Sequence, residues 1–218
     1  MKKIACIHTV PGLIDSFAQL LRDTIPGEIE IHSLFDSFLL SDPAASGKFT
    51  PINHQRLRHI MQAQALTGAD LILISCSTLS PSVRLLRSEF NIPVVAIDDA
   101  MAAAAVTRGS RIGLIATNSC TVAPSSSALH AAARAIGKEI DLQVLWNADA
   151  TAAMKAGDKA AHDRMILEMA EKLQDRDVIV LAQASMAHME TPVEEATGIP
   201  TLSSPALCME QVRQLLGE

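Results

Sequence analysis

Nearly the same pattern occurs twice in the chain, as Asp70-Leu-Ile-Leu-Ile-Ser-Cys-Ser-Thr78 and as Asp177-Val-Ile-Val-Leu-Ala-Gln-Ala-Ser185. Each copy is a short apolar run preceded by an aspartate, and it is followed by Ser-Cys-Ser-Thr in the first copy and by Ala-Gln-Ala-Ser in the second. Such a run is typical of a strand that is buried on both faces of a parallel sheet. Because an offset of 107 residues, about half of the chain, separates the two copies, they indicate an internal duplication.

The repeat extends in both directions from this stretch. Ile92-Pro93 matches Ile199-Pro200 at the same offset of 107, and Lys3-Ile-Ala-Cys-Ile-His-Thr9 matches Arg111-Ile-Gly-Leu-Ile-Ala-Thr117 at an offset of 108. A solenoid would need three or more short repeats, so this pattern predicts two copies of one larger unit. We expect the copies to meet near Ile97–Ala100.

Strand-like runs alternate with segments of helical spacing, of which Arg56–Leu66 and His162–Leu173 are the clearest. This alternation predicts an α/β fold of two halves, each a roughly four-stranded parallel sheet flanked by helices. Ligands of such sheets bind beyond the carboxyl ends of the strands, so we expect the site in the cleft between the halves. The predicted strands are Ile4–Ile7, Ile29–His32, Leu71–Ile74, Val94–Ile97, Ile112–Ile115, Ile140–Leu145, Val178–Leu181 and Thr201–Leu202.

The predicted domain boundaries follow from the repeat. Residues 1–98 form the first half, residues 99–204 form the second, and a last helix over 205–218 packs back on the first. Two connections, Asp36–Asn53 and its counterpart Trp146–Asp158, are expected to be long loops without regular structure. Such loops serve either as lids and binding loops or as variable surface, and the sequence leaves both interpretations open.

Composition excludes several classes of function. The 218 residues carry a net charge of −6 without basic clusters, and aromatic residues make up 3%, so neither a phosphate-binding face nor a base-stacking platform is expected. No apolar run reaches the roughly 20 residues of a membrane span, and Met1–His8 is interpreted as a first strand rather than a signal peptide. The four cysteines lack CxxC spacing, which predicts free thiols and a cytoplasmic protein.

The sharpest candidate for chemistry is Cys76, which directly follows a predicted strand. Ser80 is expected to cap the next helix with Pro81 at its first position, and a loop at such an N-terminus binds carboxylates and stabilises a thiolate. Ser77 and Thr78 add hydroxyl donors beside the thiol. The alternative is that Cys76 is a small buried hydrophobic residue. No Gly-rich phosphate loop and no GxSxG motif occur.

Other polar residues stand at equivalent strand ends. Thr9 and Thr117 end the first strand of each half, and Thr117 and Thr121 either bind a ligand or cap the next helix. His8 at a strand end and His188 in the loop after Gln183 are further candidates. Cys6 and Cys208 are expected in the core. The other histidines lack metal-ligand spacing with Cys or acidic partners, so they are interpreted as surface or structural residues and no metal is predicted. These histidines are His32, His54, His59, His130 and His162.

Three motifs, spread over essentially the whole chain, make it similar to the aspartate/glutamate/hydantoin racemase superfamily. Ser75-Cys76-Ser77-Thr78 resembles the family's first catalytic loop, often Cys-Asn-Thr, with Ser77 in place of Asn. Ala116-Thr117-Asn118-Ser119-Cys120-Thr121 resembles the threonine-containing loop that opens the second half. Val180-Leu-Ala-Gln-Ala-Ser-Met-Ala187 resembles the second catalytic loop, close to Leu-Gly-Cys-Ala-Gly-Met-Ala in hydantoin-type members.

The resemblance implies two flavodoxin-like halves related by pseudo-twofold symmetry and chemistry that needs no cofactor. In the family, one thiolate removes the proton next to a carboxylate, and a thiol on the opposite face returns a proton. Cys76 would then be the acid/base for a small amino acid or carboxylic acid. The residues implied in substrate binding are Thr9, Ser77, Thr78, Thr117, Thr121, Gln183, Ala184 and Ser185.

The chain departs from the family pattern at the second cysteine, which is Gln183 here. An amide is neither acid nor base near neutral pH. Ser185 also stands where amino-acid racemases often carry His. The resemblance therefore leaves three functions open: a racemase or epimerase, a one-base decarboxylase or isomerase of a small dicarboxylic acid, and a non-catalytic carboxylate binder. Relatives are commonly dimers, which leaves a homodimer open.

Overall fold

The computed structural model describes residues 1–217, which form two compact units. The first unit contains residues 1–97 and the C-terminal residues from 206 onward, and the second contains residues 98–205. Each unit holds one four-stranded parallel sheet with helices against it. The predicted α/β class, with a duplicated sheet-containing unit, is confirmed.

The first unit has the strand order β2-β1-β3-β4, and all neighbouring pairs are parallel. The central strands β1 and β3 are the apolar runs, and every residue of β3 is buried. Its elements are β1 (Lys2–His8), α1 (Ile14–Thr24), β2 (Ile29–Phe35), α2 (Phe38–Ser46), α3 (Pro51–Ala65), β3 (Leu71–Ile74), α4 (Ser80–Leu86) and β4 (Val94–Ala96).

The second unit repeats this topology as β6-β5-β7-β8. Its central strand β7 is also buried at every residue. Its elements are α5 (Asp99–Arg108), β5 (Arg111–Ala116), α6 (Ser119–Ala135), β6 (Asp141–Trp146), α7 (Ala148–Lys155), α8 (Lys159–Ala170), β7 (Val178–Leu181), α9 (Glu190–Thr197) and β8 (Thr201–Leu202). The last helix, α10 (Ser204–Leu215), follows β8, and Lys2 Nζ donates to the carbonyl of Leu216 at 2.8 Å.

The strand register repeats between the two sheets. Ile4 of β1 pairs with Leu71 of β3, and their counterparts Ile112 and Val178 pair in the same way. Every predicted strand is present: β3, β7 and β8 have the predicted bounds, and the other strands differ from the prediction by one to three residues at one or both ends. The repeat found in the sequence is therefore a repeat of sheet topology and pairing.

In each unit, an aspartate side chain accepts hydrogen bonds from backbone N–H groups at the start of the first strand. Asp70 Oδ2 accepts a hydrogen bond from the backbone N–H of Lys3 at 2.8 Å. Asp177 Oδ2 accepts from the backbone N–H groups of Ser110 at 3.0 Å and Arg111 at 2.9 Å. The aspartate that opens each copy of the repeated stretch therefore anchors the neighbouring strand.

Each unit has its own aliphatic core, as the low aromatic content requires. In the first unit, the apolar cluster contains Ala5, Ile7, Leu39, Leu57, Met61, Ala69, Ile72, Ile74, Leu79, Val83, Leu86, Val94 and Ala96. In the second, it contains Ile115, Ile166, Met169, Ala170, Leu173, Ile179, Leu181, Met186, Met189, Val193 and Ile199. Within residues 1–217, no helix is both long and apolar enough to cross a membrane.

The prediction that 36–53 and 146–158 lack regular structure is wrong. The first connection contains α2 and the start of α3, and the second contains α7. The proline and glycine signals were misleading, because Pro43 lies inside the short helix α2, and Gly47, with φ of 72°, ends that helix in the left-handed region.

Local capping explains why helices form there. Asp36 Oδ1 accepts hydrogen bonds from the backbone N–H groups of Phe38 at 2.9 Å and Leu39 at 3.3 Å, and the Leu39 side chain is buried. Thr50 and Asn53 form a reciprocal capping box at the start of α3. These polar side chains satisfy the first N–H groups of both helices, so two short helices replace the expected loop.

Candidate active site

Cys76 is the second residue after β3 in the first unit, where the chain leaves the sheet. Its backbone is still extended, with φ of −121° and ψ of 115°, and the next three residues, Ser77–Leu79, form a 3-10 turn. The side chain packs against the apolar core of this unit and remains partly exposed, and its thiol is free. Cys76 is therefore accessible at the carboxyl end of a central strand.

The expectation that Ser80 caps the following helix is wrong. Because the 3-10 turn runs directly into α4, the chain is already helical at Leu79, which occupies the cap position without a side-chain hydrogen bond. Ser80 is the first residue of α4, and Pro81 is the second. Within the described chain the Ser80 hydroxyl is buried and has no hydrogen-bond partner.

His8, at the end of β1, is fully buried and contacts Ser75. Its Nδ1 lies 2.8 Å from Ser75 Oγ, which itself donates to the carbonyl of Ile7 at 3.3 Å. Since the hydroxyl has a single hydrogen, the tautomer that fills both contacts carries its hydrogen on Nδ1. Burial lowers the pKa of His8, which favours this neutral form. Nε2 is then a buried acceptor without a partner in residues 1–217.

A second buried polar group lies at the same strand end. Ile7 pairs with Ile74, and the backbone N–H of Ser75 donates to the Ile7 carbonyl at 3.0 Å, so continuing the register brings Thr9 beside Cys76. Thr9 is 4% exposed, and its Oγ1 has no partner among the described residues. A buried polar group without a partner costs about 1–3 kcal/mol, so this edge is suited to a polar ligand.

Gln183 occupies the equivalent position in the second unit. It follows β7 with φ of −118° and ψ of 140°, and a 3-10 turn, Ala184–Met189, begins after it. Its amide is held at both ends by Thr117: Oε1 accepts from the Thr117 N–H at 3.1 Å, and Nε2 donates to Thr117 Oγ1 at 2.8 Å. The two turns share a backbone conformation, but only the turn of the first unit carries an ionisable side chain at this position.

The loop after β5 supplies the other predicted residues of the second unit. Thr117 is buried and its hydroxyl oxygen accepts from Gln183, which leaves the hydroxyl hydrogen available to an acceptor. Thr121 donates its hydroxyl hydrogen to the carbonyl of Asn118 at 2.8 Å. Asn118 caps α6 by accepting from the N–H of Cys120 at 3.0 Å, and the Cys120 thiol is free and partly exposed.

His188 belongs to a cluster that the sequence did not reveal. Its Nδ1 lies 3.1 Å from the carbonyl of Ser185, and its Nε2 lies 2.8 Å from Asp163 Oδ1. The same carboxylate oxygen is 2.8 Å from Nδ1 of His162. Burial raises the pKa of Asp163 and the hydrogen bonds from the two histidines lower it, with a net lowering.

The structure brings His162 to an acidic partner, Asp163, and to His188, which the spacing of these residues in the sequence did not indicate. His162 is 2% exposed and lies in α8, whereas His188 lies in the 3-10 turn after Gln183. Asp163 and His188 are 25 residues apart in the chain. Only the packing of α8 against that turn joins them, and no short spacing motif could have predicted it.

The structure thus gathers the predicted residues into two groups, one in each unit. Thr9, His8 and Cys76 lie at one sheet edge with Ser77 and Thr78, which are partly exposed. The contact between Ser75 and His8 at this edge was not predicted from the sequence. The second group consists of Thr117 and Gln183, directly bonded, with Thr121 in the first turn of α6 and with Ala184 and Ser185 following Gln183.

The remaining cysteines are in the core, as expected. Cys6 is 1% exposed and Cys208 is 0% exposed. Burial raises the pKa of the Cys6 thiol to about 12, so this thiol stays protonated near neutral pH. Cys76 and Cys120 are accordingly the two accessible thiols of the chain.

Comparison with known proteins identifies a family for this chain. The model of the Asp/Glu/Hydantoin racemase family matches residues 14–212, which is nearly the whole chain. No curated protein sequence matches the chain.

Several solved structures share the fold at low sequence identity. Allantoin racemase from Klebsiella pneumoniae superposes with a TM-score of 0.70 at 16% identity, covering 100% of this chain and 88% of its own. Glutamate racemase from Thermus thermophilus, in complex with beta-chloro-D-alanine, gives 0.71 at 18% identity, covering 99% and 80%. A glycine-to-cysteine mutant of arylmalonate decarboxylase, in a sulfate-associated form, gives 0.65 at 16% identity, covering 99% and 93%.

Proposed function

Because the chain belongs to the Asp/Glu/hydantoin racemase family, we propose that it is a cofactor-independent enzyme that transfers a proton at the carbon next to a carboxylate. Its substrate is a small amino acid or related carboxylic acid, and Cys76 is its acid/base. The supporting observation is the difference between the two equivalent turns: Cys76 is a partly exposed thiol, whereas the Gln183 amide is bonded at both ends to Thr117. We also propose that the protein works in the reducing cytoplasm, because this chemistry needs Cys76 as a free thiol.

The first step is proton removal by the thiolate of Cys76. The C–H bond breaks, its electron pair is delocalised into the substrate carboxylate as an enediolate, and Cys76 becomes a thiol. Hydroxyl donors near the turn stabilise the negative charge that forms on the oxygens, and we assign this role to Thr9, Ser77 and Thr78. Thr9 is suited to it because its buried hydroxyl has no partner in the described chain.

A single acid/base returns the proton to the face from which it came. The substrate then exchanges hydrogen with solvent and keeps its configuration. With a malonate-type acid, the bond to one carboxylate breaks instead, carbon dioxide leaves with none of that electron pair, and the Cys76 thiol protonates the enediolate. Water then restores the proton that Cys76 has given. Exchange or decarboxylation on one face is therefore the reaction that this arrangement favours.

Racemisation is the second candidate, and one observation favours it. Inversion of a stereocentre needs a second acid/base, and Cys120 is a partly exposed free thiol in the first turn of α6. If the chain inverts its substrate, Cys120 is the group that we expect to supply or remove the second proton. Among known relatives of the fold, both racemases and a decarboxylase occur.

The test is a screen of small amino acids, hydroxy acids and malonates in heavy water, followed by proton NMR. We expect deuterium at the carbon next to the carboxylate with unchanged optical purity, or release of carbon dioxide from a malonate. Loss of optical purity at the rate of exchange would instead support racemisation.

Two variants identify the acid/base. Cys76→Ala should lower the rate at least about 100-fold, the usual contribution of a general acid/base, whereas Cys120→Ala should leave one-face chemistry unchanged. A loss of activity in both variants would support the racemase. Full activity in Cys76→Ala would refute the assignment of Cys76.

Alkylation gives an independent check of the site. Iodoacetamide should modify Cys76 and not the buried Cys6 or Cys208, and an active substrate should slow the modification of Cys76 selectively. Equal protection of Cys120 by the substrate would argue for the two-thiol alternative.

A further inference from the structure

Two histidines of the second unit converge on one carboxylate. Nδ1 of His162 and Nε2 of His188 each lie 2.8 Å from Oδ1 of Asp163, and the two imidazole rings are stacked with centroids 6.1 Å apart and an interplanar angle of 25°. Within residues 1–217 no other group of three or more His, Cys, Asp or Glu side chains brings its ligand atoms within 4.8 Å of one another. Neither the family match nor the chemistry of Cys76 uses this cluster.

The second contact of His188 decides which atom of the ring is available. Nδ1 lies 3.1 Å from the carbonyl oxygen of Ser185, an acceptor only, so Nδ1 carries a hydrogen. Nε2 then faces Asp163 either with a second proton or with its lone pair toward a cation. Histidine ligands of metals donate their other ring N–H to a backbone carbonyl or carboxylate in this way, which fixes the tautomer and the ring orientation.

We propose that His162 Nδ1, Asp163 Oδ1 and His188 Nε2 form a binding site for one divalent transition-metal ion of the Zn²⁺ class. Two imidazole nitrogens and one carboxylate oxygen are a ligand set that Zn²⁺ takes with metal–ligand distances of about 2.0–2.2 Å. In tetrahedral geometry such ligand atoms lie roughly 3.3 Å apart, so the contacts of 2.8 Å need to open only slightly.

The surroundings of the three side chains suit a bound ion. His162 is 2% exposed and is held by its position in α8, whereas the side chains of Asp163 and His188 are 26% and 32% exposed and give the ion access from solvent. Three protein ligands leave a fourth position for water or an anionic ligand. The ion would join α8 to the 3-10 turn Ala184–Met189, which begins immediately after Gln183.

The experiment measures Zn²⁺ binding to the full-length protein by calorimetry and by competition with a chromophoric chelator. We expect one ion per chain. His188→Asn should weaken binding at least about tenfold, because it removes one of three ligands, and this exposed position tolerates substitution. Asp163→Asn should weaken it comparably. His130→Asn, at an exposed position of α6 in the same unit, is the matched control and should bind as the parent does.

A second readout identifies the coordinating atoms. Zn²⁺ should shift the ring nitrogen resonances of His162 and His188 in long-range ¹H–¹⁵N spectra, with Nδ1 affected in the first and Nε2 in the second. Co²⁺ should give the visible absorption of a four-coordinate site, and this band should be lost in His188→Asn. Absence of stoichiometric binding, equal affinity in His188→Asn and the parent, or shifts at other histidines would each overturn the proposal.

Discussion

At the scale of single residues, the pair His8 and Ser75 is the feature with the most direct measurable consequence. His8 is fully buried, and burial lowers its pKa. In the unfolded chain a histidine titrates near pH 6.5, so just below that pH the His8 imidazole is protonated in the unfolded state and still neutral in the folded state. The contribution of His8 to stability is therefore complete above about pH 6.5 and is lost as the pH falls toward its lower folded value.

The prediction compares the parent with His8→Asn, whose amide nitrogen can replace the Nδ1–H group toward Ser75. The difference in urea midpoint between the two proteins should be constant from pH 7 to 8. This difference should shrink, or reverse in sign, between pH 6.5 and 5, because only the parent contains a buried imidazole whose protonation destabilises the folded state. Parallel pH profiles would show that His8 titrates as it does in the unfolded chain.

What the sequence could predict at this scale depended on the repeat. The position of Cys76 after β3, and its equivalence to Gln183, follow from the offset of 107 and from the rule that parallel strands end at one edge. The hydrogen-bond partners of Ser75 and the two hydrogen bonds between Gln183 and Thr117 could not be predicted, since they depend on side-chain rotamers. The cluster of His162 with His188 depends on the packing of a helix against a turn, which leaves no periodic signal.

At the scale of the elements, the junction between α5 and β5 depends on a glycine. A Cβ placed on Gly109 would lie 2.2 Å from Cβ and 2.8 Å from Oδ2 of Asp177, well inside van der Waals contact. Asp177 cannot move aside, because it anchors Ser110 and Arg111 at the start of β5. The close approach of the Asp177 side chain to the backbone at position 109 therefore requires glycine there.

Gly109→Ala should destabilise the protein by about 1–3 kcal/mol, the typical cost of overpacking a site that cannot relax. Gly12→Ala is the matched control, because a Cβ at Gly12 meets nothing within 4 Å and the substitution also restricts the unfolded chain. The free energies of unfolding from urea titrations should separate the two variants. Equal stabilities would mean that the α5–β5 junction adapts freely.

The elements also show where turn signals mislead. Strands were predicted accurately because buried parallel strands are continuous apolar runs, and β3 and β7 match the prediction at both ends. The helices α2 and α7 were missed because both are short. In addition, α2 contains Pro43 and ends at Gly47, and these residues are typical of loops. Capping by Asp36, Thr50 and Asn147 outweighs these weak signals.

At the scale of the whole molecule, the duplication has kept topology and register while individual contacts have diverged. The two anchoring aspartates are an example, because Arg111 Nη2 lies 2.6 Å from Asp177 Oδ1 in addition to the backbone donors. The side-chain hydrogen bond from Arg111 lowers the pKa of Asp177 to about 2. An unfolded aspartate titrates near 3.9, so this contribution to stability is complete above about pH 4 and is lost as the pH falls through about 2.

Asp177→Asn should therefore lower Tm at pH 6, by a small amount because the pair is exposed to solvent, and the difference from the parent should vanish between pH 4 and pH 2. Asp70→Asn is the matched substitution in the other copy, where the carboxylate accepts a hydrogen bond from the backbone N–H of Lys3. Thermal melts of the three proteins across this range test the prediction. A difference that persists at pH 2 would show that the hydrogen bonds, rather than the charge of Asp177, are responsible.

The two hydrogen bonds between Gln183 and Thr117 also show how equivalent positions of a duplicated chain come to differ. Because both ends of the Gln183 amide are bonded to Thr117, this position of the second unit carries a neutral side chain, whereas the equivalent position of the first unit carries the Cys76 thiol. The duplication has therefore preserved the sheet topology of both units while the side chains at equivalent strand ends differ in their chemistry.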